Sequence, residues 1–446
     1  MTRPERIPPM AHARITIARD FTIAEVPPRR LFGQFVEHMG RCVYTGIYEP
    51  GHATADARGF RTDVLELVRE LGPTVVRYPP GGNFVSGYRW EDGGVGPVAD
   101  RPVRMDGAWH TIETNAFGLH EFMDWSREAE VEVMEAINLG TRGVEEARSL
   151  VEYANHPPGG TYWSDLRRRN GAEDPFGIKL WCLGNELDGP WQIGHKTAHE
   201  YGRLAQETAK AMKLVDPEIE LVAVGSSNRG MPTFGTWEHT VLTHAYDEVD
   251  YISMHAYYRE QSGDAASFLA EAVDMDAFID GVVATIDAVK AAGKHSKEVN
   301  ISFDEWNVWD FDRFNDVEEG EVAAAGWREH PPPHRGHVQR HGRVVVGTFL
   351  HSLLRHGDRV KIANQAQLVN VIAPIRSEEG GPAWRQTTFW PFARMARMAQ
   401  GRIMRLAVSS TKGATEKYGD VDEVDAVATW DEASGRLACS SRTARW

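Results

Sequence analysis

The chain has 446 residues, of which 49 are lysine or arginine and 64 are aspartate or glutamate, giving a formal charge of −15. An acidic surface repels phosphate backbones and anionic lipid headgroups, so neither nucleic acid nor a membrane is expected as a partner. The chain has no apolar stretch near the roughly 20 residues of a transmembrane helix, and its N-terminus has no apolar signal core, which together predict a cytoplasmic protein.

Short runs rich in β-branched and apolar residues predict eight strands, and segments of helical period lie between them. The predicted strands are 31–36, 74–78, 131–138, 178–184, 219–225, 250–257, 299–306 and 359–368. The predicted helices are 62–71, 118–129, 144–154, 197–215, 237–245, 277–292, 342–356 and 389–398. Eightfold alternation indicates a closed parallel (β/α)8 TIM barrel. The alternative, an open doubly wound sheet, is less favoured because no GxGxxG or P-loop follows the first strand.

The two ends of the chain predict an accessory β domain of β-sandwich, jelly-roll-like type. Residues 1–13 read as a disordered leader, and residues 14–27 alternate in polarity as a strand does. The barrel would occupy residues 28–400, and residues 401–446 contain further short strand-like runs. The three cysteines are too few for a disulfide framework and lack the CxxC spacing of a zinc site.

Polar residues stand where nearly every predicted strand ends, which is the face of a barrel that carries the active site. The residues in such positions are Glu37, His38, Asn83, Asn138, Asn185, Glu186, His255, Tyr257, Asp304, Glu305, Gln365 and Gln367. Among these, Glu186 and Glu305 have tryptophan neighbours in the sequence, namely Trp181, Trp191, Trp306 and Trp309.

Two carboxylates facing one cavity can divide the work of retaining glycoside hydrolysis. One is held protonated as the general acid, and the other stays ionised as the nucleophile. Aromatic faces stack on sugar rings, which suits the tryptophans near Glu186 and Glu305. The alternative interpretation is that these glutamates form ion pairs lining the barrel, with Arg77 or other basic residues.

Seven segments carry a resemblance to a known family. They read GQFVEHMGRCVYTGIYEPGH, GGNFVSGYRWEDG, NLGTRG, WCLGNELDGPWQIGHK, GSSNRGMPTF, SFDEWNVW and AQLVNVIAPI. In this order the chain resembles the α-L-arabinofuranosidases of glycoside hydrolase family 51 from about residue 14 to 437. The resemblance implies a retaining clan-A barrel with Glu186 of the GNE motif as acid/base and Glu305 of the DEWNVW motif as nucleophile.

The resemblance also implies a set of substrate-binding residues, no cofactor and a homohexamer. Furanose hydroxyls would be held by Glu37, Asn83 and Asn185, the last suited to the 2-OH. Tyr257 would hydrogen-bond the nucleophile, with His255 as its neighbour in the pocket. Gln367 would bind sugar, and Trp109 and Trp309 would form walls around the scissile bond. Taken alone, His255 reads better as a satisfied core histidine, and Trp109 could equally be a packing residue.

The sequence departs from the family pattern at two points. One extra residue occurs at Pro79/Pro80, just before Asn83, and could displace that side chain; another occurs at Gly93/Gly94. Four histidines, at positions 330, 334, 337 and 341, stand in a proline-rich loop after strand seven, but their spacing fits no zinc motif. We therefore predict no catalytic metal.

Together these features predict an exo-acting α-L-arabinofuranosidase. Its substrates would be terminal non-reducing arabinofuranosyl residues of oligosaccharides from arabinoxylan, arabinan or arabinogalactan, hydrolysed by double displacement. Two alternatives stay open: another retaining clan-A glycosidase, such as a β-glucanase or xylosidase, and a catalytically silent carbohydrate-binding protein.

The last residues predict a frameshifted or otherwise truncated C-terminus that leaves the β domain incomplete. Residues 424–437 read as a strand, a turn with Gly435 and the start of a second strand, whereas residues 438–446 show no apolar alternation and nothing to pair. Sequencing the gene past codon 437 should show further alternating strands in another frame. Their absence from both alternative frames would contradict this expectation.

Overall fold

The computed structural model describes residues 13–25, 30–78, 82–94, 96–261, 263–311, 316, 320–321, 324, 326–329 and 341–443. The first twelve residues of the predicted leader, Pro79, Pro80 and three of the four loop histidines (330, 334 and 337) lie outside these ranges.

In chain order the strands are β1 (Ala13–Glu25), β2 (Gly33–Phe35), β3 (Val75–Arg77), β4 (Arg104–Asp106), β5 (Thr111–Glu113), β6 (Glu132–Ala136), β7 (Leu180–Cys182), β8 (Glu220–Ala223), β9 (Tyr251–Tyr258), β10 (Asn300–Val308), β11 (Val360–Ala366), β12 (Ile375–Ser377), β13 (Ala383–Arg385), β14 (Arg402–Ser410), β15 (Lys412–Thr415), β16 (Gly419–Asp422), β17 (Val424–Asp431) and β18 (Arg436–Thr443). The α-helices are α1 (Thr62–Leu71), α2 (Trp90–Gly94), α3 (Leu119–Ala129), α4 (Val144–Asn155), α5 (Tyr162–Arg169), α6 (Ala198–Val215), α7 (Thr236–Ala245), α8 (Ala265–Leu269), α9 (Ala272–Gly293), α10 (Gly342–Arg355) and α11 (Phe389–Met398). Short 3-10 helices cover Gly82–Gly87 and Val98–Asp100.

Eight parallel strands, β2, β3 and β6 to β11, close into a barrel. They are the eight strands predicted from the sequence, and a predicted helix follows each of them. The (β/α)8 fold is therefore confirmed. None of the helices in the described part of the chain is long and apolar enough to cross a bilayer.

The spacing of buried residues explains why the predicted helices form. In α1, Val64, Val68 and Leu71 are buried at positions i, i+4 and i+7, which places them on one face against the barrel. Gly72 then ends the helix with a φ of 77°, a left-handed conformation that glycine adopts at little cost. Local sequence also sets the start of α6, where Thr197 and Glu200 form a capping box.

The barrel interior is a packed core below its mouth. It is filled by a cluster of Val75, Val85, Met134, Ala136, Leu180, Cys182, Val222 and Ile362, all at most 2% exposed. Above this core, the carboxyl ends of all eight strands meet at the mouth, where the active site of a barrel lies.

The two chain ends form an antiparallel sheet beside the barrel, with strand order β1-β14-β17-β18. Strand β1 pairs with β14 from Ala13↔Ser410 to Glu25↔Arg402. This confirms that the N-terminal and C-terminal segments join in one antiparallel β domain. A separate two-stranded ribbon, β15–β16, extends from it; we refer to residues 412–422 as the ribbon.

One expectation for the C-terminus is wrong, because residues up to Thr443 do have a pairing partner. Strand β18 pairs with β17 from Asp431↔Arg436 to Val424↔Thr443. Two of its three partly buried positions carry polar side chains: Ser440 Oγ lies 2.8 Å from His351 Nε2, and Arg442 donates to the carbonyl of Leu269 at 2.7 Å. A search for apolar alternation cannot detect a strand that is held by polar contacts.

A partly buried ion cluster joins this sheet to the barrel. Asp425 on β17 accepts a hydrogen bond from Arg355 Nη1 at 2.8 Å, and its other oxygen lies 2.9 Å from Nδ1 of His351. Burial opposes the charge of Asp425, but His351 and Arg355 outweigh this and hold its pKa well below its usual range. The carboxylate therefore stabilises the contact between α10 and the accessory sheet in its ionised form.

We expect Asp425→Asn to lower stability by about 1.5–3 kcal/mol at pH 7, the value of hydrogen bonds to a charged group. Because the folded pKa is depressed, this contribution is complete above the unfolded pKa of about 3.9 and is lost as the pH falls through the folded pKa. Thermal melts from pH 7 to pH 3 should show the difference from wild type narrowing below about pH 4. Asp420→Asn, on the exposed ribbon, is the matched control; a constant difference at all pH values would contradict the prediction.

Candidate active site

A cavity of about 1360 Å³ opens at the mouth of the barrel. Eight of the ten predicted site residues line it, namely Glu37, Asn83, Trp109, Glu186, Tyr257, Glu305, Trp309 and Gln367. His255 lies behind this lining in contact with Glu186 and Glu305, and Asn185 is hydrogen-bonded to Arg77, which in turn contacts Glu305. The predicted site residues are thus brought together, and Asn83 stays at the cavity although it follows the extra proline.

A one-residue bulge in β10 aims two neighbouring carboxylates at the same partners. Ser302 lies opposite Ser253 of β9, but Glu305 lies opposite His255, so β10 has one residue more than its neighbour. The register against β11 shifts by one residue in the same region. Such bulges re-aim side chains near active sites, and here Asp304 and Glu305 both reach inward.

Glu305 is fully buried and accepts hydrogen bonds at both oxygens. Arg77 Nη1 donates to Oε1 at 2.6 Å, and the Tyr257 hydroxyl donates to Oε2 at 2.8 Å. Burial raises the pKa of Glu305 above its ordinary value, while the charges of His255 and Arg77 oppose that shift. The ion pair with Arg77 foreseen in the alternative interpretation is therefore present, and it supplies donors that favour the ionised carboxylate.

Arg77 also holds Asn185 in place. Its Nη2 donates to Oδ1 of Asn185 at 2.8 Å, which fixes the amide so that Nδ2 faces away from the guanidinium. This Nδ2 is buried and has no hydrogen-bond partner within the described residues. A buried donor left unpaired costs free energy. A bound ligand that offered an acceptor oxygen to Nδ2 would recover that cost.

Glu186 follows β7 in a left-handed conformation, with a φ of 43°. One of its oxygens lies 2.9 Å from Nδ1 of His255, and the other accepts from the indole of Trp191 at 2.6 Å. Trp191 is about half exposed. Glu186 thus lies between a buried imidazole and an aromatic ring that faces the cavity.

His255 lies between carboxylates on two strands. Besides Glu186, its Nε2 lies 3.1 Å from Oδ1 of Asp304. Burial lowers the pKa of His255, but the charges and hydrogen bonds of Glu305, Asp304 and Glu186 outweigh this and raise it to about 10. Burial likewise opposes the charge of Asp304, but Arg77 and His255 lower its pKa.

The two candidate catalytic glutamates face each other across the mouth. Glu186, His255 and Glu305 each offer an atom within 4.8 Å of the others, a grouping that could in principle ligate a cation. Metal binding requires a neutral imidazole, whereas the neighbouring carboxylates favour the protonated form of His255. A separation near 5 Å is the one used by retaining glycosidases.

Glu37, which follows the first barrel strand, lines the side of the cavity opposite β7 and β8. Its Oε1 accepts from the indole of Trp109 at 2.6 Å and from the backbone of Phe84 at 3.2 Å. Gly82 approaches so closely that a Cβ would lie 2.3 Å from this carboxylate. Burial and the charge of Glu305 raise the pKa of Glu37 well above its ordinary value.

Trp109 is carried by a hairpin that was not predicted from the sequence. Strands β4 and β5 pair, and the turn between them holds Trp109. Asp106 fixes this turn, accepting from the backbones of Ala108 at 2.9 Å and Trp109 at 3.2 Å. Burial raises the pKa of Asp106 to about 6, although those hydrogen bonds oppose the shift.

The remaining predicted residues complete the wall between the first and last strands. Gln367 Nε2 lies 3.4 Å from Oε2 of Glu37, and its buried Oε1 is unpaired within the described residues. Trp309 packs edge-on against Tyr257 and stacks on Phe311, with ring centroids 4.2 Å apart.

Of the loop histidines, His341 alone is described, and its Nδ1 lies 3.4 Å from a carboxylate oxygen of Glu260.

Asp188 was missed as a site residue by the sequence reasoning. It lies two residues after Glu186 and accepts from Ser227 N at 2.9 Å and Oγ at 3.0 Å. Burial, with a smaller contribution from the charge of Glu186, raises its pKa to about 6. Asp188 ties the Glu186 loop to the loop after β8; the available signal was a second acidic residue in the ELDG segment.

An eight-stranded barrel with two facing carboxylates at the carboxyl ends of strands four and seven has the architecture of a retaining glycoside hydrolase. Comparison with known proteins specifies the family. The family described as alpha-L-arabinofuranosidase 1 domain matches residues 67–277, and the alpha-L-arabinofuranosidase C-terminal domain matches residues 304–444. The chain belongs to the α-L-arabinofuranosidases of glycoside hydrolase family 51.

Individual relatives agree along nearly the whole chain. An intracellular exo-alpha-(1->5)-L-arabinofuranosidase of Streptomyces lividans is 58% identical over 94% of this chain and 62% of that protein. One from Bacillus subtilis is 52% identical over 96% of this chain and 84% of that protein. This chain therefore spans less than two thirds of the Streptomyces protein. The solved family 51 enzyme of Bifidobacterium longum superposes with a TM-score of 0.93 at 50% identity, covering 98% of this chain and 86% of that one.

Asn185→Ala should lower kcat more than it raises KM. If the unpaired Nδ2 donates to the substrate's 2-OH, as the family resemblance implies, that hydrogen bond should strengthen as charge develops in the transition state. By analogy with an oxyanion-hole donor, the loss should be on the order of 2–4 kcal/mol of barrier. Steady-state kinetics measure the split between kcat and KM, and an unchanged melting temperature controls for folding. A change in KM alone would contradict the role.

Proposed function

We propose that this chain is a retaining exo-α-L-arabinofuranosidase. Its substrates are terminal non-reducing α-L-arabinofuranosyl residues on arabinose-containing oligosaccharides, such as fragments of arabinoxylan, arabinan or arabinogalactan. The observation that carries the proposal is the facing pair of Glu186 and Glu305, with carboxylate oxygens within 4.8 Å of one another at the mouth of a family 51 barrel.

In the first step Glu305 attacks the anomeric carbon while Glu186 protonates the leaving oxygen. The two donors on Glu305, from Arg77 at 2.6 Å and Tyr257 at 2.8 Å, favour the ionised nucleophile. Two observations support Glu186 as the acid: it lines the cavity, and no guanidinium among the described residues pairs with it.

In the second step Glu186 deprotonates a water molecule, which attacks the glycosyl–enzyme ester and releases the sugar with retained configuration. The water enters on the side that the leaving group vacates, next to Trp191, whose indole holds the second oxygen of Glu186. No residue in this sequence of steps needs a metal or an organic cofactor.

The furanose ring is held by the wall that contains Glu37 and Gln367, with the free Nδ2 of Asn185 directed to the 2-OH. Asn83 adds a polar group at the rim, and Trp109 and Trp309 flank the ring. The raised pKa of Glu37, caused by burial and by the charge of Glu305, favours the protonated carboxyl, which can donate as well as accept a hydrogen bond to a hydroxyl.

The names of relatives suggest linkage and location. Several are named exo-alpha-(1->5)-L-arabinofuranosidases and intracellular, and one from Bifidobacterium longum is named an exo-alpha-(1->6)-L-arabinofuranosidase. We propose that this chain likewise cleaves (1→5) or (1→6) linkages inside the cell. The homohexamer stays a prediction, which light scattering would test.

Glu305→Ala should abolish turnover of every arabinofuranoside, because no covalent intermediate can form. Glu186→Ala should retain the first step for aryl leaving groups that need no protonation, and azide should restore turnover. The product with azide should be the glycosyl azide of retained configuration, read by NMR.

Glu66→Ala, an exposed glutamate on α1, is the control for an ordinary glutamate truncation. Azide rescue with inversion would mark Glu186 as the nucleophile and reverse the assignment. Preference for an aryl xyloside or glucoside would favour another clan-A activity, and sugar binding without turnover by the wild type would favour a silent binding protein.

A further inference from the structure

The active-site cavity extends well beyond the catalytic pair. Its volume of about 1360 Å³ exceeds the roughly 300–1,000 Å³ of most small-ligand pockets. Beyond Glu186 the lining continues through Arg229, Glu271, Asp274 and Lys417. None of these four is assigned a part in the steps above, and together they form what we call the charged wall.

Two ion pairs make up the charged wall. Arg229, in the loop after β8, pairs with Asp274 at 2.7 Å, and Lys417 pairs with Glu271 at 3.0 Å. Both carboxylates lie at the start of α9, whereas Lys417 lies at the tip of the ribbon. The accessory β domain therefore contributes a side chain to the cavity of the barrel.

The ribbon tip is fixed on the barrel by specific contacts. The backbone N–H of Lys417 donates to Ser267 Oγ at 3.0 Å, and the hydroxyl of Tyr418 donates to Glu271. The β15–β16 ladder runs from Lys412↔Asp422 to Thr415↔Gly419, so the tip is its closed end. Lys417 is consequently held in place by its backbone as well as by its ammonium group.

The cations of the charged wall face the cavity, while the carboxylates lie deeper. The side chains of Arg229 and Lys417 are each 44% exposed, against 20% for Asp274 and 5% for Glu271. A lysine ammonium has three donors and a guanidinium five, so donors are left over after each ion pair. Because every cation here is paired, the wall carries no excess charge and fits a neutral hydroxyl-bearing ligand better than an anion.

The charged wall lies on the acid/base side of the cavity. Glu186 follows β7, the neighbour of β8, and Asp188 ties its loop to Ser227 in the loop that holds Arg229. The furanose wall of Glu37 and Gln367 follows β2 and β11, on the opposite side of the barrel. The group that Glu186 protonates leaves toward the charged wall.

We propose that Arg229 and Lys417 bind hydroxyl groups of the leaving saccharide and make the enzyme selective for sugar over non-sugar leaving groups. This inference rests on the proposed function. It assigns the ribbon of the accessory domain a direct part in substrate specificity.

The test compares an α-(1→5)-linked arabinotriose with 4-nitrophenyl α-L-arabinofuranoside, which lacks a leaving sugar. Arg229→Met and Lys417→Met should each lower kcat/KM on the trisaccharide at least about tenfold, the loss of one charge-assisted hydrogen bond. Activity on the aryl substrate should stay within about twofold of wild type. Lys412→Met is the matched control, because Lys412 lies on the same ribbon, pairs with Asp422 at 2.7 Å and does not line the cavity.

Lys417→Met leaves the buried Glu271 without its cation, so the double variant Lys417→Met/Glu271→Gln removes both charges and should show the same selective loss. The proposal would be overturned if Arg229→Met and both Lys417 variants left unchanged the ratio of kcat/KM on the trisaccharide to kcat/KM on the aryl substrate. If that ratio stayed constant because both values fell equally, the residues would have a purely structural role. A wild type inactive on the aryl arabinofuranoside would instead overturn the proposed function and, with it, this inference.

Discussion

The guanidinium of Arg77 is the interaction on which the site depends. It is fully buried at the end of β3 and reaches Glu305 at 2.6 Å, Asn185 at 2.8 Å and Asp304 at 3.6 Å. Burying two adjacent carboxylates without a cation would be prohibitive, and removing a partner from a buried pair typically costs about 3–5 kcal/mol. Arg77 and protonated His255 both contact Asp304 and Glu305, so the two neighbouring carboxylates of β10 share two cations.

Local backbone features on several strands and loops set the geometry around Arg77. The bulge in β10 turns Asp304 and Glu305 toward one guanidinium, and the left-handed Glu186 aims its side chain across the mouth. Asp106 fixes the hairpin turn that brings the Trp109 indole to Glu37. Each of these features belongs to a different loop or strand, and the barrel holds them in fixed relative positions. Its packed interior keeps the strand ends in register.

Much of this arrangement could be predicted from the sequence. The barrel strands are short buried runs between long amphipathic helices, so their order and number follow from periodicity; α1 and α11 were predicted to the residue. The hairpin of Trp109 and the ribbon of Lys417 were not predicted, because strands of three or four residues are too short to show a pattern and form through tertiary contacts. Strand β18 was misread because Ser440 and Arg442, at partly buried positions, hold it through polar contacts rather than through apolar alternation. Glu186 and Glu305 could be found by their position at strand ends, whereas the unpaired Nδ2 of Asn185 is visible only in three dimensions.

Two buried glutamates at one barrel mouth would be interchangeable if burial alone set their chemistry. Their partners differ in one respect that matters for catalysis. Glu305 is paired with a guanidinium, which does not release its proton, so its negative charge is fixed by Arg77. Glu186 has no guanidinium partner among the described residues; its two oxygens contact Nδ1 of His255 at 2.9 Å and the indole of Trp191 at 2.6 Å. In the proposed mechanism this difference supports Glu305, whose charge is fixed, as the nucleophile, and Glu186 as the residue that gives and takes a proton.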